Sequence, residues 1–362
     1  MRVLYLEPFD GGSHAAFGRT LMSALPWQWT AITQPPHHWK WHMRQAAVDA
    51  ALRLEGLGAT FDLVFASSYV PLAELVGLVP QLAGVPRVLY FHENQLDFPT
   101  RTPALDRDLH YGVTQLVSAI AASVCVFNSQ HNRDSFLGAA RALLARMPDG
   151  PRGAWVDRIA ARSEVLPVPL ELPDVAPPVV AVDRDRGPLL LWNHRWEHDK
   201  DPDAFIGALR WLDAQGLAFR VAICGQRFTE VPACLRDAPS WLGDRLVQHG
   251  AVASRDDYLA LLGRTDVVVS TAVHEFFGVA VLEAIHCGAQ PVVPDRLSYV
   301  ELIPPRYRVA DEAALRERLA SLCRHYAAGE TLRADRRDVT RALLADAVMP
   351  RYRALCERLV AR

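Results

Sequence analysis

His274-Glu275-Phe276-Phe277-Gly278-Val279-Ala280-Val281-Leu282-Glu283-Ala284-Ile285 follows an apolar run, Thr265-Asp266-Val267-Val268-Val269-Ser270-Thr271, that reads as a buried strand of a parallel sheet. After Gly278 the period turns helical, with Val279, Leu282 and Ile285 on one face. A strand therefore ends in a loop that feeds a helix start. In an open α/β sheet that junction binds phosphorylated ligands, because free N–H groups and the helix dipole meet negative charge. Glu275 lies in the loop and Glu283 about two turns on. Carboxylates there do not hold phosphate; they suit the hydroxyls of a sugar or ribose, which donate to them.

The 362 residues exceed one typical core and suit two domains. Hydrophobic content of 50% and charged content of 22% are those of a globular chain. With a net charge of −2, a nucleic-acid partner needs a local basic patch. The six cysteines include no C-x-x-C pair and read as reduced core thiols of a cytoplasmic protein. No apolar run approaches the roughly 20 residues of a membrane span, and Val3–Leu6 is too short for a signal peptide.

Arg2–Leu6 reads as the first strand, followed by Gly11-Gly12-Ser13-His14 and a helix to Leu25. Gly11 and Gly12 allow close backbone approach to a ligand, or make a plain turn, and His14 at the helix start can reach into a cleft. In Gln34-Pro35-Pro36-His37-His38-Trp39-Lys40-Trp41-His42-Met43-Arg44, aromatic and basic residues alternate. Trp39, Lys40, Trp41 and Arg44 suit stacking on bases with phosphate contact, or an amphipathic helix start whose tryptophans pack inward. Further strands are expected at 61–66, leading to Ser67-Ser68-Tyr69, and at 86–91, ending in His92-Glu93-Asn94-Gln95 and Phe98-Pro99. Four polar residues at a strand's carboxyl end read as a site. A helix over 106–120, a strand at 123–127, a helix from Arg133 to Met147 and a strand at 163–168 complete a first domain of residues 1–172.

Residues 173–187 read as the linker, within a stretch from Leu172 to Pro188 that holds four prolines. Asp183-Arg184-Asp185 mimics a D-x-D metal motif but lies in this linker, and Asp106-Arg107-Asp108 lies on a helix; both read as solvated charge. The second domain spans 188–340. Its first strand runs into Asn193-His194-Arg195-Trp196-Glu197-His198-Asp199-Lys200, and Asp201-Pro202 open a helix as N-cap and first residue. Arg195 and Lys200 could neutralise a leaving diphosphate, or form a surface ion-pair cluster. Strands ending at Cys224, before Gly225-Gln226, and at Gln248 precede the opening stretch, and Gln290–Pro294 is the last clear strand. The remainder is helical and arginine-rich, offering a basic face, with a helix over 341–362 that can cross back to the first domain.

Two doubly wound Rossmann-like α/β domains are expected, facing a central cleft, with a nucleotide-sugar site on the second. The order of motifs resembles retaining glycosyltransferases of the GT-B fold, family 4: Glu275 and Glu283 match their E-x7-E motif, and Arg195 and Lys200 their cationic pair. A narrower resemblance rests on Glu7-Pro8-Phe9 with Gly11-Gly12-Ser13-His14, Trp39–Arg44, His92-Glu93-Asn94-Gln95-Leu96, Phe127-Asn128-Ser129, Leu191–Glu197 and Phe276-Phe277-Gly278. These strings, spread over nearly the whole chain, resemble the tRNA-queuosine mannosyltransferases; Asp10 and His198 depart from that pattern.

The resemblance implies GDP-mannose as donor, the cyclopentene-diol of queuosine in tRNA as acceptor, and transfer with retention. It implies that Glu275 binds the donor sugar, Glu283 the ribose, and His92 the sugar near the reacting carbon. Gly11, Gly12, Asn193, Gly225, Phe277, Gly278 and Val279 would complete the donor site, and His14, Trp39, Lys40, Trp41, Arg44, Glu93, Asn94 and Gln95 the acceptor side. Arg195 and Lys200 would hold the diphosphate without a metal ion. Three other readings compete: a family 4 enzyme acting on an envelope lipid or glycan, a nucleotide-sugar epimerase, and a non-catalytic RNA-binding module.

Overall fold

The computed structural model describes residues 1–97, 109–147, 149, 153–172, 185–226 and 231–362. Phe98-Pro99, Asp106-Arg107-Asp108, Asp183-Arg184 and most of the expected linker (173–184) lie outside them. The chain forms two compact units: Met1–Glu171 with Ala345–Arg362, and Leu172–Leu344.

The first unit is one parallel sheet of β1 (Arg2–Glu7), β2 (Gln28–Thr33), β3 (Leu63–Ser67), β4 (Arg87–Phe91), β5 (Val124–Phe127) and β6 (Ser163–Val165), in the order β2-β1-β3-β4-β5-β6. Strands buried on both faces read as continuous apolar runs, and Leu63, Val64, Phe65 and Ala66 are fully buried. Helices Gly12–Ala24, Trp39–Glu55, Leu72–Leu78, Leu109–Ala121, Gln130–Ala145 and Ala154–Ala160 alternate with the strands. The core joins Leu4, Val64, Leu89 and Phe127 to Phe136 and Leu144 of the helix Gln130–Ala145. The edge strand β2 has no sequence expectation above; it is half-exposed, so its apolar residues do not form a buried run.

The second unit repeats the plan with β7 (Leu189–Asn193), β8 (Arg220–Cys224), β9 (Leu246–Gly250), β10 (Val267–Val269), β11 (Gln290–Pro294) and β12 (Arg308–Val309). All are parallel, in the order β12-β11-β10-β7-β8-β9. Asp201 caps the helix Pro202–Ala214 through the Ala204 N–H (3.2 Å), with Pro202 as its first residue.

Each order contains one reversal, where a crevice opens outside the carboxyl ends of the strands. In the first unit it falls between β1 and β3, and in the second between β7 and β10.

The last helix, Ala345–Val360, packs on the first unit. Tyr352 Oη donates to the carbonyls of Leu166 (3.2 Å) and Pro167 (3.1 Å), and Arg358 pairs with Glu164. Residues 341–344 stay with the second unit, so the passage back begins at Ala345. The arginine-rich tail is not one basic face. Arg333 donates to the carbonyls of Leu262, Thr265 and Cys287, and Arg336, 7% exposed, to those of Gly288 and Leu332. These guanidiniums close helix ends and loops from within.

Candidate active site

In the second unit the loops after β7 and β10 flank the reversal of strand order, and they carry the residues that the sequence singles out. Lys200 is 6% exposed. Its Nζ donates to the His274 carbonyl (2.7 Å) and to Glu275 Oε2 (3.3 Å), and lies 3.1 Å from Asp199 Oδ2. Glu275 Oε1 accepts the N–H groups of Phe277 (3.3 Å) and Gly278 (3.1 Å). Burial pushes the Glu275 carboxyl up, but Lys200 foremost, then His194 and the Phe277 N–H, hold it at about 2. Burial lowers Lys200, yet Glu275 and Asp199 leave it raised above the ordinary lysine value. Burial and then Lys200 push the buried His194 down to about 4, so its imidazole is neutral near pH 7.

Neither expected cation stands alone. Arg195, exposed, pairs with Glu197 at 3.3 Å, and Lys200 is enclosed by two carboxylates. A diphosphate arriving here must displace a protein partner of Lys200. The helix start is also partly taken: the first N–H groups go to Glu275 itself. Val279 and Ala280, partly exposed, carry the N–H groups that a helix start cannot pair internally.

Gly278 has φ 86°, and a Cβ there would meet Tyr299 at 2.9 Å, so backbone and space both demand glycine. Gly225 is fixed for a packing reason: a Cβ would lie 1.7 Å from the His194 carbonyl oxygen.

Around Glu283 the structure adds residues with no sequence signal. Arg255 pairs with Glu283 Oε1 at 2.7 Å. Asn193 Nδ2 donates to Tyr258 Oη (3.0 Å) and to the Ala280 carbonyl (2.8 Å), tying the end of β7 to the helix that bears Glu283.

In the first unit the corresponding strand ends assemble a buried polar cluster. Glu7, fully buried at the end of β1, accepts at Oε1 from the Phe9 N–H (3.0 Å) and the Ser67 hydroxyl (3.1 Å). Its Oε2 lies 3.2 Å from His14 Nδ1 and 3.8 Å from His92 Nε2. The two imidazoles stack at 3.9 Å and 22°. Burial, then His14, keeps His92 well below the ordinary histidine value. Tyr69 lies against His14 and bonds Glu93, which also accepts from Gln95 Nε2 (3.0 Å). Trp39 stacks on Tyr69 at 5.9 Å and 24°, with Lys40 5.7 Å from its ring. Arg44 lies 5.1 Å from the ring of Tyr111. Trp41 is 66% exposed, so the two tryptophans divide: Trp39 packs and Trp41 faces out.

Glu7, His14 and His92 present three ligand-type atoms within 4.8 Å of one another.

Residues 2–170 match the family model described as tRNA-queuosine alpha-mannosyltransferase N-terminal, and residues 181–326 match that of glycosyl transferases group 1. A tRNA-queuosine alpha-mannosyltransferase of Drosophila melanogaster is 38% identical over 330 residues, covering 89% of this chain and 87% of that protein. The chain belongs to the tRNA-queuosine alpha-mannosyltransferase family. It is a glycosyltransferase with the GT-B fold. A GDP-mannose:cellobiosyl-diphosphopolyprenol alpha-mannosyltransferase of Xanthomonas oryzae is 23% identical over 241 residues, covering 66% of this chain and 56% of that one. Sucrose-phosphate synthase of Thermosynechococcus elongatus shares the fold at a TM-score of 0.74 and 15% identity, covering 99% of both chains.

Within this queuosine mannosyltransferase scaffold, the structure joins Glu275 to Lys200, and Asn193 to the helix of Glu283. It removes Asn94 and His14 from any exposed surface. Asn94 is fully buried and donates to Asn132 Oδ1 (3.0 Å) and Ser135 Oγ (2.9 Å), while Asn128 Nδ2 holds the His92 carbonyl (2.7 Å). This asparagine network shapes the loop that carries His92. Gly11 abuts Pro36 and Gly12 opens the first helix. Tyr69, whose hydroxyl is expected at the carboxyl edge of the sheet, and Glu7, which closes a buried apolar strand, belong to the first unit's cluster; Arg255 and Tyr258, which carry no sequence signal, belong to the second unit's.

Among the described residues no helix is long and apolar enough to cross a membrane.

Proposed function

We propose that this chain transfers mannose, with retention, from GDP-mannose to the cyclopentene-diol of queuosine in tRNA. The observation that carries the reading is the Lys200–Glu275 pair at the strand-order reversal of a unit whose relatives include mannosyltransferases. The named activity of the Drosophila relative supports the acceptor, and GDP-mannose in the name of the Xanthomonas relative supports the donor. A tRNA acceptor also implies work in the cytoplasm.

In this reading Glu275 takes sugar hydroxyls, which a carboxylate held ionised accepts well. Glu283, steadied by Arg255, takes the ribose hydroxyls. Arg195, Lys200 and the helix start near Gly278 stabilise the diphosphate as it departs. Acceptor attack and departure share one face of the sugar, through an oxocarbenium-like state. His92 orients the sugar, and the exposed aromatic and basic start of the helix Trp39–Glu55 meets the RNA. No metal is called for, so excess chelator should leave the rate unchanged.

The test incubates the protein with GDP-mannose and queuosine-containing tRNA, digests the RNA and weighs the nucleosides. A hexose on queuosine supports donor, acceptor and class together. Transfer only to a polyprenyl-diphosphate sugar would sink the RNA acceptor and keep the enzyme class.

A further inference from the structure

Glu7 has no role in the transfer derived so far, yet it is the anion around which the first unit's polar cluster is built. Its carboxylate is fully buried, and Oε1 is fixed by the Phe9 N–H and the Ser67 hydroxyl. Oε2 is left facing two imidazole nitrogens, His14 Nδ1 at 3.2 Å and His92 Nε2 at 3.8 Å. An ionised carboxylate only accepts hydrogen bonds, so His14 Nδ1 at 3.2 Å carries its proton toward it, while His92 Nε2 at 3.8 Å lies beyond hydrogen-bond length and is drawn the same way by charge alone. Both rings are therefore biased toward one tautomer, N–H toward Glu7. Their face-to-face stacking at 3.9 Å disfavours a second positive charge, so the pair holds at most one extra proton.

We propose that Glu7 is a positioning residue of the transfer site: Oε2 fixes His14 as the Nδ1–H tautomer and His92 as the Nε2–H tautomer. His92 then offers a lone pair on its other nitrogen, the partner a sugar or diol hydroxyl needs. The proposal rests on the reading above in which His92 contacts the transferred sugar. Three observations carry it: the burial of Glu7, the two donors that orient its carboxylate, and the buried His92 Nε2, which has no hydrogen bond at normal distance. The depressed proton affinity of His92, from burial and then His14, agrees with a neutral ring.

Among the described residues, aromatic rings face the pair from several elements. Tyr69 faces His14 from the loop after β3, and Phe17 and Tyr90 face His92 from the first helix and β4. Tyr352 of the last helix faces Tyr90, and Glu93 lies beyond the Tyr69 hydroxyl. Burial raises both Tyr90 and Tyr352 above the ordinary tyrosine value, so both stay neutral.

The test is Glu7→Gln in the full chain, read by imidazole nitrogen NMR near neutral pH and by transfer kinetics. The amide oxygen can keep the Phe9 and Ser67 donors, which turns its NH2 toward the rings. A nitrogen facing that NH2 must become an acceptor. We expect both tautomers to invert and kcat to fall on the order of 100-fold, with the donor KM within about twofold. Glu7→Asp, which keeps the charge, should preserve the tautomers and part of the rate, and it serves if the glutamine variant fails to fold. Unchanged tautomers in Glu7→Gln, or inverted tautomers with unchanged kcat, overturn the proposal. If the wild-type chain moves no mannose to queuosine, the functional reading fails, while the tautomer measurement still decides what Glu7 does.

Discussion

Lys200 Nζ sits 3.3 Å from Glu275 Oε2, so the cation expected on the donor diphosphate is bound to the carboxylate expected on the donor sugar. Both side chains are at most 17% exposed, and Asp199 is a second anion on the same ammonium. Removing Glu275 leaves Lys200 with Asp199 as its anion, so the cost falls below the about 3–5 kcal/mol of a buried charge left with no partner. Glu275→Ala should therefore abolish transfer, leave tRNA binding largely intact and lower stability to urea. Lys200→Met combined with Glu275→Gln should lower stability further, because it leaves the buried Asp199 without its cation, and should not recover transfer. A Glu275→Ala protein that unfolds like the wild type would show that the pair is not structural.

The Arg255–Glu283 pair differs in kind. Arg255 is half-exposed, so the 2.7 Å contact contributes about 0–1 kcal/mol to folding. In the proposed donor site it holds the Glu283 carboxylate in one rotamer for a ribose. Arg255→Gln should raise the donor KM by about 3- to 10-fold, roughly 0.7–1.4 kcal/mol of binding, with little change in melting temperature. An unchanged donor KM would remove Arg255 from the nucleotide site.

Much of this architecture is legible in the sequence because parallel strands buried on both faces leave unmistakable apolar runs. Val3–Leu6 and Leu189–Trp192 are examples. Strand β2 escapes because an edge strand need not be apolar throughout, and β12 because it has two residues. Glu275, Lys200 and Glu283 stand out by spacing, but their partners do not. Lys200 and Glu275 are 75 residues apart, and only the strand order β10-β7 brings them together. His14 reads as a helix-start residue that can reach into a cleft. Its burial follows from Glu7 and Tyr69, which sequence alone does not place beside it.

Acid should weaken the fold in two stages. His194 is lowered from 6.5 to about 4 and His92 well below 6.5, so the unfolded chain binds protons that the folded chain refuses. Stability is therefore lost as pH falls below about 6.5, down to about 4 in the case of His194. Glu275, lowered from 4.5 to about 2, contributes above pH 4.5 and loses its contribution as pH falls to about 2. Melting temperature should decline from pH 7 to 4, and His194→Asn should flatten part of that decline. A wild-type melting temperature constant over this range would contradict the neutral, buried imidazoles.

The start of the helix Trp39–Glu55 makes the RNA reading separable from the catalytic one. Trp41 is 66% exposed and touches no aromatic neighbour among the described ring contacts, whereas Trp39 stacks on Tyr69. A base stacked on a tryptophan contributes about 1–3 kcal/mol, and a lysine on a phosphate about one counterion to the salt slope. Trp41→Ala should weaken tRNA binding about 5- to 150-fold with little change in stability, because the side chain is mostly exposed. Trp39→Ala should lower both tRNA affinity and melting temperature, because it also strips the ring from Tyr69 and Tyr111. Lys40→Ala should reduce the slope of log affinity against log salt by about 1, measured by filter binding across a salt series. If these variants change only the affinity for GDP-mannose, this surface belongs to the donor and the RNA must be met elsewhere.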